Sequence, residues 1–84
     1  MDNKRKFLDW AVKHHQVILK SLKGVDLKVG EIVNFENEYG IKFYGFKVLG
    51  FDKDGVCSNP SDVRCVYLDW DSFWFPAKPS ALFK

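Results

Sequence analysis

The stretch that most constrains this chain is Val63-Arg-Cys-Val-Tyr-Leu-Asp-Trp-Asp-Ser-Phe-Trp-Phe-Pro-Ala-Lys-Pro-Ser-Ala-Leu-Phe83. Two runs rich in aromatic and β-branched residues flank a short acidic segment, Asp69–Ser72. Such runs favour strands, and a turn between them predicts a hairpin with enough apolar surface to anchor a small β-structure. Pro76 and Pro79 bracket a tight turn of 3₁₀ type, after which Ala81–Phe83 reads as a short last strand.

A chain of 84 residues is near the size at which one apolar core only just suffices, and it reads as a single domain, 1–84. Eight Phe, three Tyr and three Trp compensate, because each buried ring removes roughly 150–250 Å² from water. With 46% hydrophobic and 29% charged residues the composition is that of a folded domain, not of a disordered segment. No apolar run reaches the roughly 20 residues that span a bilayer. Lys4-Arg5-Lys6 is followed by Asp9 and Lys13 rather than by a signal-peptide core, so the expected location is the cytoplasm, away from membranes.

Asn3–Lys23 reads as an amphipathic helix within an N-terminal unit, 1–24. Phe7, Leu8, Ala11, His15, Ile18 and Leu22 share one stripe at helical spacing, with Asp9, Lys13, Gln16 and Lys20 opposite. Asp2 or Asn3 is the expected cap and Gly24 the stop signal. Trp10, His14 and Val17 form a second apolar flank, which either lies against a sheet or meets a partner.

From residue 27 onward the pattern is β. Ile32–Phe35 is a first strand and Asn37–Gly40 a turn. Ile41–Phe51 is a long strand with Tyr44, Phe46 and Val48 on one face and Ile41, Phe43 and Leu49 on the other. Apolar residues on both faces suit a strand curved between two halves of a small barrel, with Gly45 and Gly50 at the bends. Asp52–Gly55 is a turn, Val56–Asp62 a surface loop, and Val63–Leu68 with Phe73–Phe75 the closing hairpin.

The segments Val29-Gly-Glu-Ile-Val33, Tyr44-Gly-Phe-Lys-Val-Leu-Gly-Phe-Asp52 and Val66-Tyr-Leu-Asp-Trp-Asp-Ser-Phe-Trp-Phe-Pro76, closed by Leu82-Phe83, resemble in order the SH3-like barrels of the Tudor and KOW kind. The resemblance covers residues 27–83 and excludes the N-terminal helix. It implies an α+β fold, an amphipathic helix packed on a five-stranded antiparallel SH3-like barrel (27–84). For the Tudor kind it also implies an aromatic cage for cations. The matching positions here are Tyr44, Tyr67, Trp70 and Trp74, with Asp69 and Asp71 as cation partners. Core filling is the competing role for the same rings. The chain also resembles short proteins encoded by phages and mobile elements.

Chemistry-bearing clusters are sparse. Cys57 and Cys65 lack zinc-knuckle or redox spacing, and with no export signal they are expected as free thiols. His14 and His15 are adjacent and would point about 100° apart on a helix, so no metal site is expected. No nucleophile–base arrangement or phosphate loop is evident, and neither an enzyme nor a cofactor is expected. His15 reads as a core histidine.

The expected function is therefore recognition of another protein. Trp70 in its turn, Tyr39 in a loop, and Trp10 with Val17 on the helix flank are the anchors, being residue types that dominate binding hot spots. That flank also admits a homodimer. The alternative is nucleic-acid binding. Residues 1–28 hold seven basic against three acidic side chains, whereas 29–84 hold six basic against eight acidic. Lys6, Lys13, Lys20 and Lys23 would then meet phosphates from one helix, while an acidic barrel counts against a KOW-like RNA role.

Overall fold

A computed structural model describes residues 3–84, and Asp2, one of the two expected helix caps, lies outside them. The chain forms one α-helix, α1 (Lys4–Lys13), and five strands, β1 (Ile18–Leu19), β2 (Ile32–Glu36), β3 (Lys42–Asp52), β4 (Val66–Leu68) and β5 (Leu82–Phe83). Short 3₁₀ turns occupy Lys53–Gly55, Pro60–Asp62 and Pro79–Ala81; the last starts at Pro79 rather than lying between Pro76 and Pro79, where Ala77 instead bridges Val66. No helix among the described residues is long and apolar enough to cross a membrane.

The helix is half the expected length, and the reason is local. His15 takes a left-handed φ of 54°, a conformation that histidine tolerates better than most residues. The His15 N–H then donates to Val12 O at 3.2 Å and the Gln16 N–H to Ala11 O at 2.8 Å. This crossed pair satisfies the last helical carbonyls and ends the helix ahead of Val17-Ile-Leu. Ile18 and Leu19 of this apolar run pair as β1 with the end of β3, Ile18 opposite Asp52 and Leu19 opposite Phe51. Ile18 and Leu22 shared the helical stripe only through their spacing of four, which a strand and its following loop also satisfy. His15 is exposed rather than in the core, and Gly24 sits in a turn well past the helix end. Asn3 occupies the N-cap position, but its side chain makes no capping bond.

The eleven-residue strand β3 organises the sheet. Its first part pairs with β2, from Glu36 opposite Lys42 to Ile32 opposite Lys47. Its last part runs between β1 and β4, so that Phe51 lies opposite both Leu19 and Val66. Register shifts fall between Val33 and Phe35 and between Val48 and Gly50, beside the two glycines expected to bend the strand. Gly45 has φ of 84°, and its N–H donates to Asn34 Oδ1 at 3.0 Å. At Gly50 a Cβ would collide with Ile18 Cγ2, so the close approach of β1 requires glycine.

β5 returns to pair with β2, Asn34 opposite Phe83 and Phe35 opposite Leu82. The order is β1-β3-β2-β5 with β4 on β3, all antiparallel, and no β4–β5 pairing closes the sheet among the described residues. The expected closing hairpin is altered: Phe73–Phe75 is a turn, with the Phe75 N–H donating to Ser72 O at 2.8 Å. Pro76 has no N–H for a ladder, so the chain rejoins β4 only at Ala77, which bridges Val66. The fifth strand of the set is thus β1, from the segment read as helix.

Two apolar clusters lie on opposite sides of this sheet. Val33, Val48, Phe51, Val66, Leu68, Leu22, Cys65 and Ala77 form the main core. Phe7 from α1 packs with Leu49 and Tyr67 on the other side, flanked by Trp10 and Ile18. Hence β4 is buried on both faces, Val66 and Leu68 inward and Tyr67 under the helix.

Candidate functional site

The main core is not sealed at one end. Phe35, Phe46 and Trp70 pack against it as half-buried residues. Trp70 meets Phe35 edge-on, with centroids 5.2 Å apart at 83°, and Phe46 at 5.5 Å and 67°. Around this floor two open clefts meet. One, of about 340 Å³, runs past Glu38, Tyr39, Arg64, Phe75 and Lys78. The other, of about 540 Å³, runs past Phe43, Asp71, Ser72, Trp74 and Phe75. They share Phe35, Trp70 and Phe75, which makes them one aromatic trough between the β2–β3 turn and the 69–76 segment. Its combined size lies within the range of ligand clefts.

Local structure explains why these rings converge. The bulge at Gly45 inserts a residue into the alternation of β3, which brings Phe43 and Phe46 to the same trough although simple alternation puts them on opposite faces. Asn37 holds the β2–β3 turn, its Oδ1 accepting from the N–H groups of Tyr39 and Ile41, both at 2.9 Å. On the far wall the Asp69 N–H donates to Lys47 O at 2.9 Å. Asn3 ties the same wall to the start of α1: its N–H donates to Asp69 Oδ1 at 2.9 Å and its Nδ2 to Trp70 O at 3.1 Å. Asn3 is the buried polar residue of the described chain, so its side-chain polarity is spent on this tether.

The expected site residues separate into groups. Tyr39, Trp70, Asp71 and Trp74 all border the trough, and Tyr39 and Trp74 are 87% and 50% exposed. Tyr44 stands apart, edge-on to Phe83 at 6.1 Å. Tyr67 lies under the helix, its hydroxyl donating to Asp52 Oδ2 at 2.6 Å. Burial, then the Asp52 carboxylate, pushes the Tyr67 phenol well above its usual range. Asp69 is engaged by Asn3. The four rings Tyr44, Tyr67, Trp70 and Trp74 therefore do not form one cage, because alternation along β4 turns Tyr67 away from Trp70.

Trp10 is half-buried in the helix seam, 6.1 Å from Phe7 and 5.9 Å from Tyr67 between ring centroids. Val17 is exposed but lies past the helix end, so no common helical flank with Trp10 exists to pair two copies. Among the lysines, Lys6 and Lys13 lie on α1, whereas Lys20 and Lys23 follow β1. The single basic helix behind the nucleic-acid alternative is thus divided.

Sequence reasoning overlooked Phe35, Phe43, Phe46, Phe75, Glu38 and Arg64. The signal for Phe43 and Phe46 was the glycine between them, whose bulge puts both rings on one face. Arg64 carried none, since its position depends on where the 69–76 segment folds back. Its guanidinium lies 4.9 Å from the Phe75 ring centroid, with Nη2 3.9 Å from Glu38 Oε1.

Both cysteines are free, Cys57 exposed and Cys65 buried. Burial, then the nearby Cys57 and Asp52, pushes the Cys65 thiol up to about 11, so it stays protonated and serves as core filling. Among the described residues no group of three His, Cys, Asp or Glu side chains is placed to hold a metal ion. No family model matches the chain, and no curated protein or solved structure matches it either.

Proposed function

We propose that this protein is a small non-catalytic binding module that receives a segment of a partner protein in the aromatic trough. The observation that carries the reading is the incomplete burial of Trp74 and Phe75, which stay 50% and 47% exposed beside a floor already filled by Trp70. Rings needed only as core filling would be covered, whereas Trp and Tyr partly exposed in a cleft are the residues that dominate binding energetics. The proposed architecture is an SH3-like barrel with an added helix. In its support, the long bent strand β3 is shared between two strand sets, and a 3₁₀ turn precedes a last strand that returns to β2. In that frame the trough lies between the β2–β3 turn and the segment that follows β4.

The test is affinity capture from host extract with the wild type and with a Trp74→Ala/Phe75→Ala double variant of matched folding. The expected outcome is a defined protein retained by the wild type and lost with the variant. Equal retention by both would place recognition elsewhere.

A further inference from the structure

We infer that the ring face of Phe75 beside Glu38 is a seat for a guanidinium, filled in the free protein by its own Arg64 and taken over on binding by an arginine of the partner. This rests on the trough being the binding surface and specifies what enters it.

The molecule itself displays the chemistry. Arg64 directly precedes Cys65, whose side chain is fully buried and whose N–H donates to Ala77 O at 3.1 Å, so the backbone at this point is held. From that anchor the guanidinium reaches the Phe75 face at 4.9 Å and approaches the Glu38 carboxylate. A planar, delocalised and weakly hydrated cation suits a ring face flanked by a carboxylate better than a compact ammonium does. Yet the contact is easily exchanged. The Arg64 and Glu38 side chains are 48% and 81% exposed, and 3.9 Å is at the limit of an ion pair.

The seat also has a charge reason to prefer a cation. Glu36 and Glu38 line the same cleft, and Asp71 lines the adjoining one. Against them stand Lys78 and Arg64 itself, and when Arg64 swings out its positive charge leaves the cleft to an incoming cation. An arginine brought by an extended peptide would stack on Phe75 while its neighbours lie along Trp70 and Trp74. Arg64 then acts as an internal competitor that keeps the apolar ring covered until a partner arrives.

The test uses the full 84-residue chain, isotope-labelled, at low ionic strength. Two blocked pentapeptides serve as probes, Gly-Ala-Arg-Ala-Gly and its twin with neutral citrulline in place of arginine. The readouts are the indole N–H signals of the three tryptophans and the Phe75 amide, with Trp10 in the helix seam as internal control. The expected result is movement of the Trp70, Trp74 and Phe75 signals with the arginine peptide and not of Trp10. The citrulline twin should bind about fivefold more weakly or worse. Arg64→Gln should raise affinity for the arginine peptide about twofold to tenfold, as removal of a weak competitor would. Equal binding of the citrulline twin in the trough would overturn the guanidinium seat while leaving the binding surface standing. Unmoved trough signals up to about 10 mM peptide, or unchanged affinity in Arg64→Gln, would overturn it as well.

Discussion

The helix seam and the trough are built from the same kinds of side chain and differ in what covers them. In the seam Phe7 and Tyr67 are 0% and 2% exposed, because α1 lies across the outer face of β3 and β4. In the trough Phe35, Phe46 and Trp70 are half-buried, and Phe43, Trp74 and Phe75 stay about half exposed, with only the exposed Arg64 side chain over the Phe75 ring. The difference teaches that ring content alone does not separate filling from recognition. Coverage does, and here α1 supplies it to the seam and not to Phe43, Trp74 and Phe75.

The contrast breaks most visibly at Phe7. Phe7→Ala removes a fully buried ring from the seam and should cost about 3–5 kcal/mol in urea unfolding. Phe75→Ala should cost less than about 1 kcal/mol by the same measurement, since the ring is largely surface. Comparable losses would show that the trough is core.

Gly50→Ala comes next. Its Cβ would meet Ile18 of β1, so the expected loss is about 1–3 kcal/mol, with faster amide exchange at Ile18 and Leu19. A neutral result would mean that residues 17–19 are not docked on β3, and the short helix would then be in doubt.

Tyr67→Phe sharpens the seam. It deletes the hydroxyl bond to Asp52 and should cost about 2 kcal/mol near neutral pH. The folded phenol titrates above its unfolded value, so its contribution is complete below about pH 10 and is lost as the pH rises through the raised folded value. Ultraviolet titration should therefore show a phenolate step coincident with alkaline unfolding in the wild type, which Tyr67→Phe lacks. A Tyr67 that ionises while the fold remains intact would contradict the buried Asp52 contact.

Much of the β portion was legible from residue pattern. The β2 and β3 ranges, the bends at both glycines and the last strand all follow from local chemistry, whereas the 3₁₀ turn expected between Pro76 and Pro79 falls at Pro79–Ala81. The second half of the helix was not, because Ile18 and Leu22 satisfy helical spacing while Val17-Ile-Leu also satisfies a strand. What decides between them is the docking of Ile18 over Gly50, a contact between distant residues. The site was legible in part. Trp70, Trp74, Asp71 and Tyr39 follow from turn position and residue type. Phe35, Phe43 and Phe46 required the register of β2 on β3, and Arg64 required the fold-back of Ala77 onto Val66. Tyr67 was misplaced because a strand buried on both faces gives no alternation of polarity to read.

The most direct test of whether the trough is a recognition surface is selection of peptides from a displayed random library on the folded protein, followed by chemical-shift mapping of the winners. Selected peptides should move the Trp70 and Trp74 indole signals, spare Trp10, and fail to bind a Trp74→Ala/Phe75→Ala variant that unfolds at the wild-type urea concentration. Peptides that bind that variant as well as they bind the wild type, or that map to the helix seam, would contradict it.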